Sequence, residues 1–233
     1  MALILNIETA TSVCSVAISK NGQVIAFEES HESNVHAERL LTFIQNTVNK
    51  AGLSLNNMDA IAIGSGPGSY TGLRIGTSTA KGLCYALDKP LIAISTLKAM
   101  AQSAQNNSIL NTQFTLQLFC PMIDARRLEV YTALYDTTGK EVLPVNAKIL
   151  DETSFSEYLK NHAIAFFGDG MPKMKTIFPA PNPNMIFFDD ITASANNMAT
   201  LSEEAFNKKD FADLAYYEPF YLKDFVAKKK AVN

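Results

Sequence analysis

The chain contains one short pattern twice, and this repeat limits the folds that it can adopt. An apolar run that ends in an acid occurs as "LILNIE" at residues 3–8 and again as "FCPMID" at residues 119–124. In each copy a short polar turn follows, then a β-rich run and a second turn that contains glycine. Chance similarity between two hairpins is the alternative, because hairpin patterns are common. The repeat favours two related halves, each of which begins with a strand and a hairpin.

The rest of each half alternates apolar strands with helices. The Asn21-Gly22 pair marks a hairpin, Gly52 marks a helix end, and short apolar runs between helices indicate parallel strands. The first half is predicted to have strands at 3–8, 13–20, 23–30, 58–66 and 90–95, with helices at 34–51 and 72–87. The second half is predicted to continue with a helix near 153–160, strands at 163–170 and 185–190, and a helix at 194–208.

These elements predict an α/β protein made of two RNase H-like halves with the order βββαβα. The predicted division places one half at residues 1–100 and the other at 101–233. With 47% apolar and 18% charged residues, the chain has the composition of a globular protein. Two such halves that face each other form the architecture of actin, Hsp70 and the sugar kinases.

Composition and charge argue against several classes of protein. A net charge of −3 argues against a protein that holds RNA or DNA alone, because such binding depends on neutralising phosphates. The chain has three cysteines, Cys14, Cys84 and Cys120, and each lies in an apolar run. An odd number of cysteines in such runs favours buried thiols over disulfides or a zinc site. The sequence shows no signal peptide and no membrane span, so we expect a cytoplasmic protein.

The stretch "GSGPGSYTGLRIGTSTAKGL" at residues 64–83 is rich in glycine but matches neither a Walker loop nor a Rossmann loop. Its first glycines can supply a sharp turn after a buried strand. Gly72, Gly76 and Ala80 then recur every four residues and form a small-residue face on a helix. Such a face allows close packing, either inside the chain or against another helix.

The wide apolar surface of helix 34–51 favours the second alternative, a contact between helices of two chains. A branched side chain at Gly76 is then expected to separate the two chains without unfolding either one. The candidate partner interface contains His36, Arg39, Leu40, Phe43, Gly72, Leu73, Gly76, Ala80 and Leu83.

Five segments together resemble the bacterial TsaB family, also called YeaZ. They are "ILNIETATSVCSVAI", "GSGPGSYTGLRIGTSTAKGL", "PLIAISTLKAMA", "DARRLEVYTALYD" and "PFYLK", and the resemblance runs from Ile4 to Lys223. It implies a non-catalytic dimerisation and activating subunit that pairs with the catalytic homologue TsaD. TsaD transfers a threonylcarbamoyl group to the tRNA adenosine next to the anticodon, and the ATPase TsaE joins the complex.

The resemblance also bears on ligands and partners. It implies that ATP and metal lie on the partner subunits, with none bound tightly by this chain alone, and that tRNA is reached only through the complex. We expect a homodimer when the partner is absent, because a homologous partner presents similar helices.

Catalytic members of the superfamily have a His-x-x-x-His pair after the strand that corresponds to "PLIAIS". In this chain Thr96 and Met100 occupy those positions, and neither side chain is a suitable ligand for such a metal. His31, His36 and His162 are predicted to be surface histidines, with a partner contact as the alternative for His36.

Nucleotide binding has weak candidates. The superfamily holds phosphates with a turn after the first strand that begins with Asp and contains Gly, Thr and Ser; here Glu8 and Thr9 stand in that turn. Gly168 and Gly170 are the candidates in the second half. We favour the interpretation that Glu8 and Asp124 cap strand ends in a cleft between the halves.

Two charged segments remain. Arg126 and Arg127, beside Asp124 and Glu129, predict a hairpin with internal salt bridges, and a contact with the ATPase or tRNA is the alternative. The tail "KDFVAKKKAVN" is interpreted as a solvated terminus or as an RNA contact within an assembly. Two enzyme functions stay open beside the scaffold function: a metallopeptidase of the glycoprotease type, and a small ATP-dependent kinase or ATPase.

Overall fold

The first half contains a mixed five-stranded sheet. A computed structural model describes residues 2–32, 36–107, 110, 116–180 and 182–223. The strands lie in the order β3-β2-β1-β4-β5; β1 pairs antiparallel with β2 and parallel with β4, and every residue of β4 is buried. The strands are β1 Leu3–Glu8, β2 Cys14–Lys20, β3 Gln23–Ser30, β4 Ala60–Gly64 and β5 Leu91–Ile94.

The second half repeats this sheet. Its order is β10-β9-β6-β7-β8, so β6 is central like β1, pairs antiparallel with β7, and pairs parallel with β9. The shared topology confirms the predicted fold class of two α/β halves. The strands are β6 Leu118–Asp124, β7 Glu129–Asp136, β8 Glu141–Ile149, β9 Ile164–Phe167 and β10 Met185–Phe188.

The first two helices cover one face of the first sheet. Leu40, Phe43 and Ile44 of α1 share an apolar core with strand residues and with Ala80 and Cys84 of α2. Ser69 caps α2, because its hydroxyl accepts a hydrogen bond from the N–H of Gly72. The helices are α1 His36–Lys50, α2 Tyr70–Leu87, α3 Thr96–Gln105, α4 Ser156–Leu159, α5 Pro172–Ile177 and α6 Ala199–Lys208.

Helix α3 lies between the two halves. Ala99 belongs to the core under the first sheet, while Leu97, Met100 and Ala104 pack with residues of the second sheet. Both halves therefore cover part of α3, while Lys98 on its remaining side is exposed. The elements predicted from the sequence do not include this helix.

The end of the second half returns to the first half. Leu201 of α6 packs in the core under the first sheet, and Ala212 forms an isolated bridge with Leu91 of β5. The N–H of Phe220 donates to the carbonyl of Ser65. The predicted division near residue 100 separates the two sheets, but residues 194–220 pack largely on the first half.

Two predicted segments are only partly covered by the structure. Residues 34 and 35 of the predicted helix 34–51, and residues 224–233 of the basic tail, lie outside the described residues. Across the described part of the chain, no helix is both long enough and apolar enough to cross a membrane.

Candidate functional site

Glu8, the acid at the end of β1, is folded into its own turn. Its side chain is buried, and Oε1 accepts hydrogen bonds from the N–H groups of Thr9 and Ala10, both at 2.8 Å. Oε2 accepts a hydrogen bond from the hydroxyl of Thr96 at 2.8 Å. Burial raises the pKa of Glu8, and these three hydrogen bonds oppose the shift. The turn therefore directs two backbone donors at its own carboxylate.

Four glycines of the stretch 64–83 pack directly against this turn. A Cβ on Gly64 would meet the carboxylate of Glu8, and a Cβ on Gly68 would lie 2.7 Å from the Cβ of Ala10. A Cβ on Gly72 would meet the carbonyl oxygen of Thr9, and one on Gly76 would meet the Thr9 hydroxyl. The glycines allow the β4–α2 loop and the start of α2 to approach the turn closely.

The helix face formed by Gly72, Gly76 and Ala80 is therefore used inside the chain. All three residues are buried, as is Leu73, and Leu83 is half-buried at the edge of the core. A Cβ on Gly76 would also lie 2.9 Å from Cδ1 of Ile63 in β4. This corrects the expectation that these small residues meet a helix of another chain.

Helix α1 gives a similar correction for its candidate interface residues. Leu40 and Phe43 face the core. His36 is buried as well, and its Nε2 lies 3.3 Å from the carbonyl oxygen of Val13, so the surface position predicted for this histidine is wrong. Arg39 is exposed and forms a 2.8 Å ion pair with Glu32.

The exposed side of the two helices carries different residues. Leu41 of α1 is 66% exposed and Tyr85 of α2 is 84% exposed. These two side chains, with the helix surface around them, are called the outer helix face below. Neither residue is among the candidate interface residues predicted from the sequence, because the periodicity of an apolar helix does not tell which of its apolar positions the sheet covers.

Thr96 and Met100 stand where a metal-binding histidine pair is expected in catalytic relatives, and their surroundings do not fit a metal. The hydroxyl of Thr96 donates to Glu8 and accepts from the N–H of Gly66 at 3.3 Å. Met100 is fully buried in the apolar core of the second half. In the described ranges, no three His, Cys, Asp or Glu side chains converge in a group that could hold a metal ion.

Asp124, the acid that ends β6, differs from Glu8 because it is exposed. Its Oδ1 lies 2.9 Å from Nζ of Lys173 and accepts the N–H of Arg126 at 2.5 Å. Glu129 pairs with Lys223. The hairpin is thus held by two lysines from elsewhere in the chain. The predicted ion pairs of Arg126 and Arg127 do not form among the described residues.

Gly168 and Gly170 pack against strands rather than line an open cradle. Both are buried. A Cβ on Gly168 would lie 2.7 Å from Cε of Met100, and one on Gly170 would lie 2.9 Å from Cγ1 of Val130. Gly168 also has a φ of +98°, which favours glycine at this turn.

The other predicted thiols and histidines can be located directly. Cys14, Cys84 and Cys120 are free and buried, as predicted, and burial raises their pKa to about 11, about 12 and about 12. His31 is exposed and pairs with Glu29 at 2.9 Å, while His162 is half-buried with Nδ1 3.2 Å from the carbonyl of Tyr158.

Comparison with known proteins gives relatives along nearly the whole chain. The family model "TsaD: tRNA N6-adenosine threonylcarbamoyltransferase" matches residues 29–232. The tRNA threonylcarbamoyladenosine biosynthesis protein TsaB of Escherichia coli (strain K12) is 41% identical over 57% of this chain. That match spans only about half, 54%, of the E. coli protein.

Two further relatives align from end to end. TsaB of Bacillus subtilis (strain 168) is 28% identical over 99% of this chain and 98% of its own length. The solved structure of YeaZ from Pseudomonas aeruginosa superposes with a TM-score of 0.73 and 27% identity, over 95% of this chain and 100% of that chain. Because the family match covers most of its residues, this chain belongs to the TsaD family, and its named relatives within that family are the TsaB, or YeaZ, proteins.

Proposed function

We propose that this chain is a non-catalytic dimerisation and activating subunit in tRNA threonylcarbamoyladenosine synthesis. It binds a TsaD-type catalytic homologue, with which a TsaE-type ATPase associates, and the complex transfers threonylcarbamoyl to the tRNA adenosine next to the anticodon. ATP and metal bind to the partner subunits, tRNA is contacted through the complex, and the protein acts in the cytoplasm. Support comes from the names of the relatives and from three features of this chain.

The observation that carries the proposal is the bonding of Glu8. A phosphate cradle requires backbone N–H groups that face the anion. Here the N–H groups of Thr9 and Ala10 already donate to Glu8, and the N–H of Ser69 donates to the carbonyl of Ala10 at 2.6 Å. The N–H groups of Thr9 and Ala10 are therefore already occupied by hydrogen bonds within the chain.

The second feature is the replacement of the metal ligands. Thr96 is bonded to Glu8 and Met100 is enclosed in the core. A metallopeptidase needs ligands and a general base that converge on one open site. The side chains of Thr96 and Met100 are instead held by contacts inside the protein.

The third feature is the outer helix face. Large apolar side chains are usually buried, and aromatic residues are enriched at the centres of protein interfaces. Leu41 and Tyr85 are both largely exposed on neighbouring helices. We infer that the catalytic homologue binds here, and that a second copy of the chain uses the same face when the homologue is absent.

Binding to the TsaD-type protein of the same cell tests the proposal. Leu41→Ser and Tyr85→Ser are expected to weaken binding about tenfold or more, because each removes a central apolar contact. Ile149→Ser is the matched control, since Ile149 is 70% exposed on β8, away from both helices. Affinity is measured by surface plasmon resonance, and circular dichroism confirms that each variant is folded.

The possible outcomes separate the surface from the function. If the unchanged chain does not bind the homologue, the proposed function is wrong. If it binds and both helix variants bind equally well, the partner uses another surface and the outer helix face is the wrong choice.

A further inference from the structure

The turn between β6 and β7 holds two arginines in an unfavourable backbone conformation. Arg126 has a φ of +71° and Arg127 a φ of +49°. Residues other than glycine and asparagine rarely adopt positive φ, because the Cβ atom then crowds the backbone. Both residues are exposed, so burial of their side chains does not offset this cost. Such strain is concentrated at functional sites. Residues 125–128 are called the arginine turn below.

The backbone of the arginine turn is held in place by hydrogen bonds. The N–H of Ala125 donates to the carbonyl of Glu129, and the N–H of Glu129 donates to the carbonyl of Arg126, both at 3.1 Å. Nζ of Lys173 in α5 donates to the carbonyl of Glu129 at 2.7 Å. The turn is thus positioned before any ligand arrives, which lowers the entropic cost of binding.

The acids beside the arginine turn already have positively charged partners. Asp124 pairs with Lys173, and Glu129 pairs with Lys223. In the part of the chain that the structure describes, no carboxylate lies within ion-pair distance, 4.0 Å, of either arginine side chain. The two guanidinium groups can therefore bind an anion that another molecule supplies.

The chemistry of two adjacent guanidinium groups favours phosphate. A guanidinium group is planar and forms paired hydrogen bonds with phosphate oxygens, and it stays charged at any physiological pH. Successive phosphates of one RNA strand can each meet one of the two arginines. Leu128, in the same turn, is 51% exposed and offers an apolar contact beside the charges. The arginine turn therefore has the features of a contact with an RNA backbone.

We propose that the arginine turn binds phosphates of the tRNA substrate when this chain is assembled with its catalytic homologue. The inference rests on the proposed function, which supplies the RNA, and it adds a direct contact made by Arg126 and Arg127. A chain with a net charge of −3 is poorly suited to hold RNA alone. The contact therefore adds to the affinity of the complex, and the two arginines neutralise two phosphates.

Fluorescence anisotropy with labelled, unmodified tRNA tests the inference on the complex of this chain with the TsaD-type homologue. The double variant Arg126→Asn/Arg127→Gly removes both charges and introduces residues that adopt positive φ readily. We expect tRNA affinity to fall about fivefold or more, and the slope of log affinity against log salt to fall by about 1–2, because two phosphate contacts are lost. The midpoint of thermal unfolding should not fall, since the backbone strain is removed.

A second double variant is the matched control. Lys208→Asn/Lys209→Gly makes the same change in net charge at two exposed residues of the α6 end, and Lys209 also has a positive φ, +55°. This control should leave both the tRNA affinity and the salt slope unchanged. Surface plasmon resonance should show that both variants bind the homologue as tightly as the unchanged chain does.

The outcomes separate this inference from the proposed function. If the complex forms and the arginine variant binds tRNA as tightly as the unchanged complex, the inference is wrong and the proposed function stands. Equal losses for the arginine variant and the lysine control would also overturn it, because they would reflect overall charge. Weaker binding to the homologue instead of to tRNA would show that the turn contacts protein. If the unchanged chain does not bind the homologue, both the proposed function and this inference are wrong.

Discussion

At the scale of single residues, Glu8 determines how the turn after β1 is hydrogen-bonded. An acid at the end of β1 could point into a cleft, but here it is buried and bonded to Thr9, Ala10 and Thr96. Burial of a carboxyl group disfavours its charged form, and the three hydrogen bonds offset only part of that cost. Glu8 therefore shapes its own turn, and the stability of the turn depends on pH.

The pH dependence has a definite sign. Because the pKa of Glu8 is raised in the folded protein above its ordinary value of 4.5, the folded state holds the proton more tightly than the unfolded state. Its contribution to stability is complete below pH 4.5 and is lost as the pH rises through the raised pKa. Glu8→Gln should remove this loss, so the variant gains stability relative to the unchanged protein as the pH rises above 4.5.

Urea unfolding at several pH values measures this difference. Glu157→Gln is the control, because it makes the same substitution at an exposed acid in α4. Parallel pH profiles of the Glu8→Gln variant and the unchanged protein would show that Glu8 does not titrate differently on folding.

At the scale of elements, α2 makes a close contact with the β1–β2 turn. Gly64 and Gly68 in the loop and Gly72 and Gly76 in the helix leave room for residues 8–10. Glycine lowers helix stability, so its use at Gly76 is offset by the close contact that it permits. In this structure the contact is internal.

Two glycines of α2 allow a matched test of that contact. Gly76→Ala would place a methyl group against Thr9 and Ile63, whereas a Cβ on Gly82 would have no atom within 4 Å. Both variants gain the same helix propensity, so the difference between their free energies of unfolding isolates the overpacking, which we expect to cost about 1–3 kcal/mol at Gly76. Chemical denaturation measures both values. Equal stability of the two variants would contradict close packing at Gly76.

The sequence predicts where strands begin and end better than it predicts which side of each helix is buried. Strand β1 and strand β3 have the predicted bounds, because strong apolar runs and the Asn21-Gly22 turn define them locally. Whether His36 and Gly76 are buried depends on which side of each helix lies against the rest of the chain. The tertiary structure decides this. The small-residue periodicity of α2 is the same whether another chain or residues 8–10 lie against it. The partners of Asp124 and Glu129 could not be predicted for a similar reason, since both lysines come from distant parts of the chain.

At the scale of the whole molecule, the two sheets have the same topology, but the acids that end their central strands differ in burial. In the first half the acid Glu8 is buried, and in the second half Asp124 is exposed and paired with Lys173. The segment 219–223 joins the halves, because the Phe220 N–H donates to Ser65 and Lys223 pairs with Glu129. The two halves are thus connected by bonds within the chain, and the outer helix face is exposed. This arrangement suits a subunit that acts through a partner.

Reconstitution of the tRNA modification is the decisive test of the proposed role of this chain. Purified chain, its TsaD-type homologue and a TsaE-type ATPase are combined with unmodified tRNA, ATP, threonine-derived threonylcarbamoyl donor and metal, and threonylcarbamoyladenosine is measured by mass spectrometry. We expect product when all three proteins are present, no product with this chain alone, and little product when this chain is omitted or carries Leu41→Ser. Modification by this chain alone, or an equal yield without it, would contradict its role as a non-catalytic activating subunit.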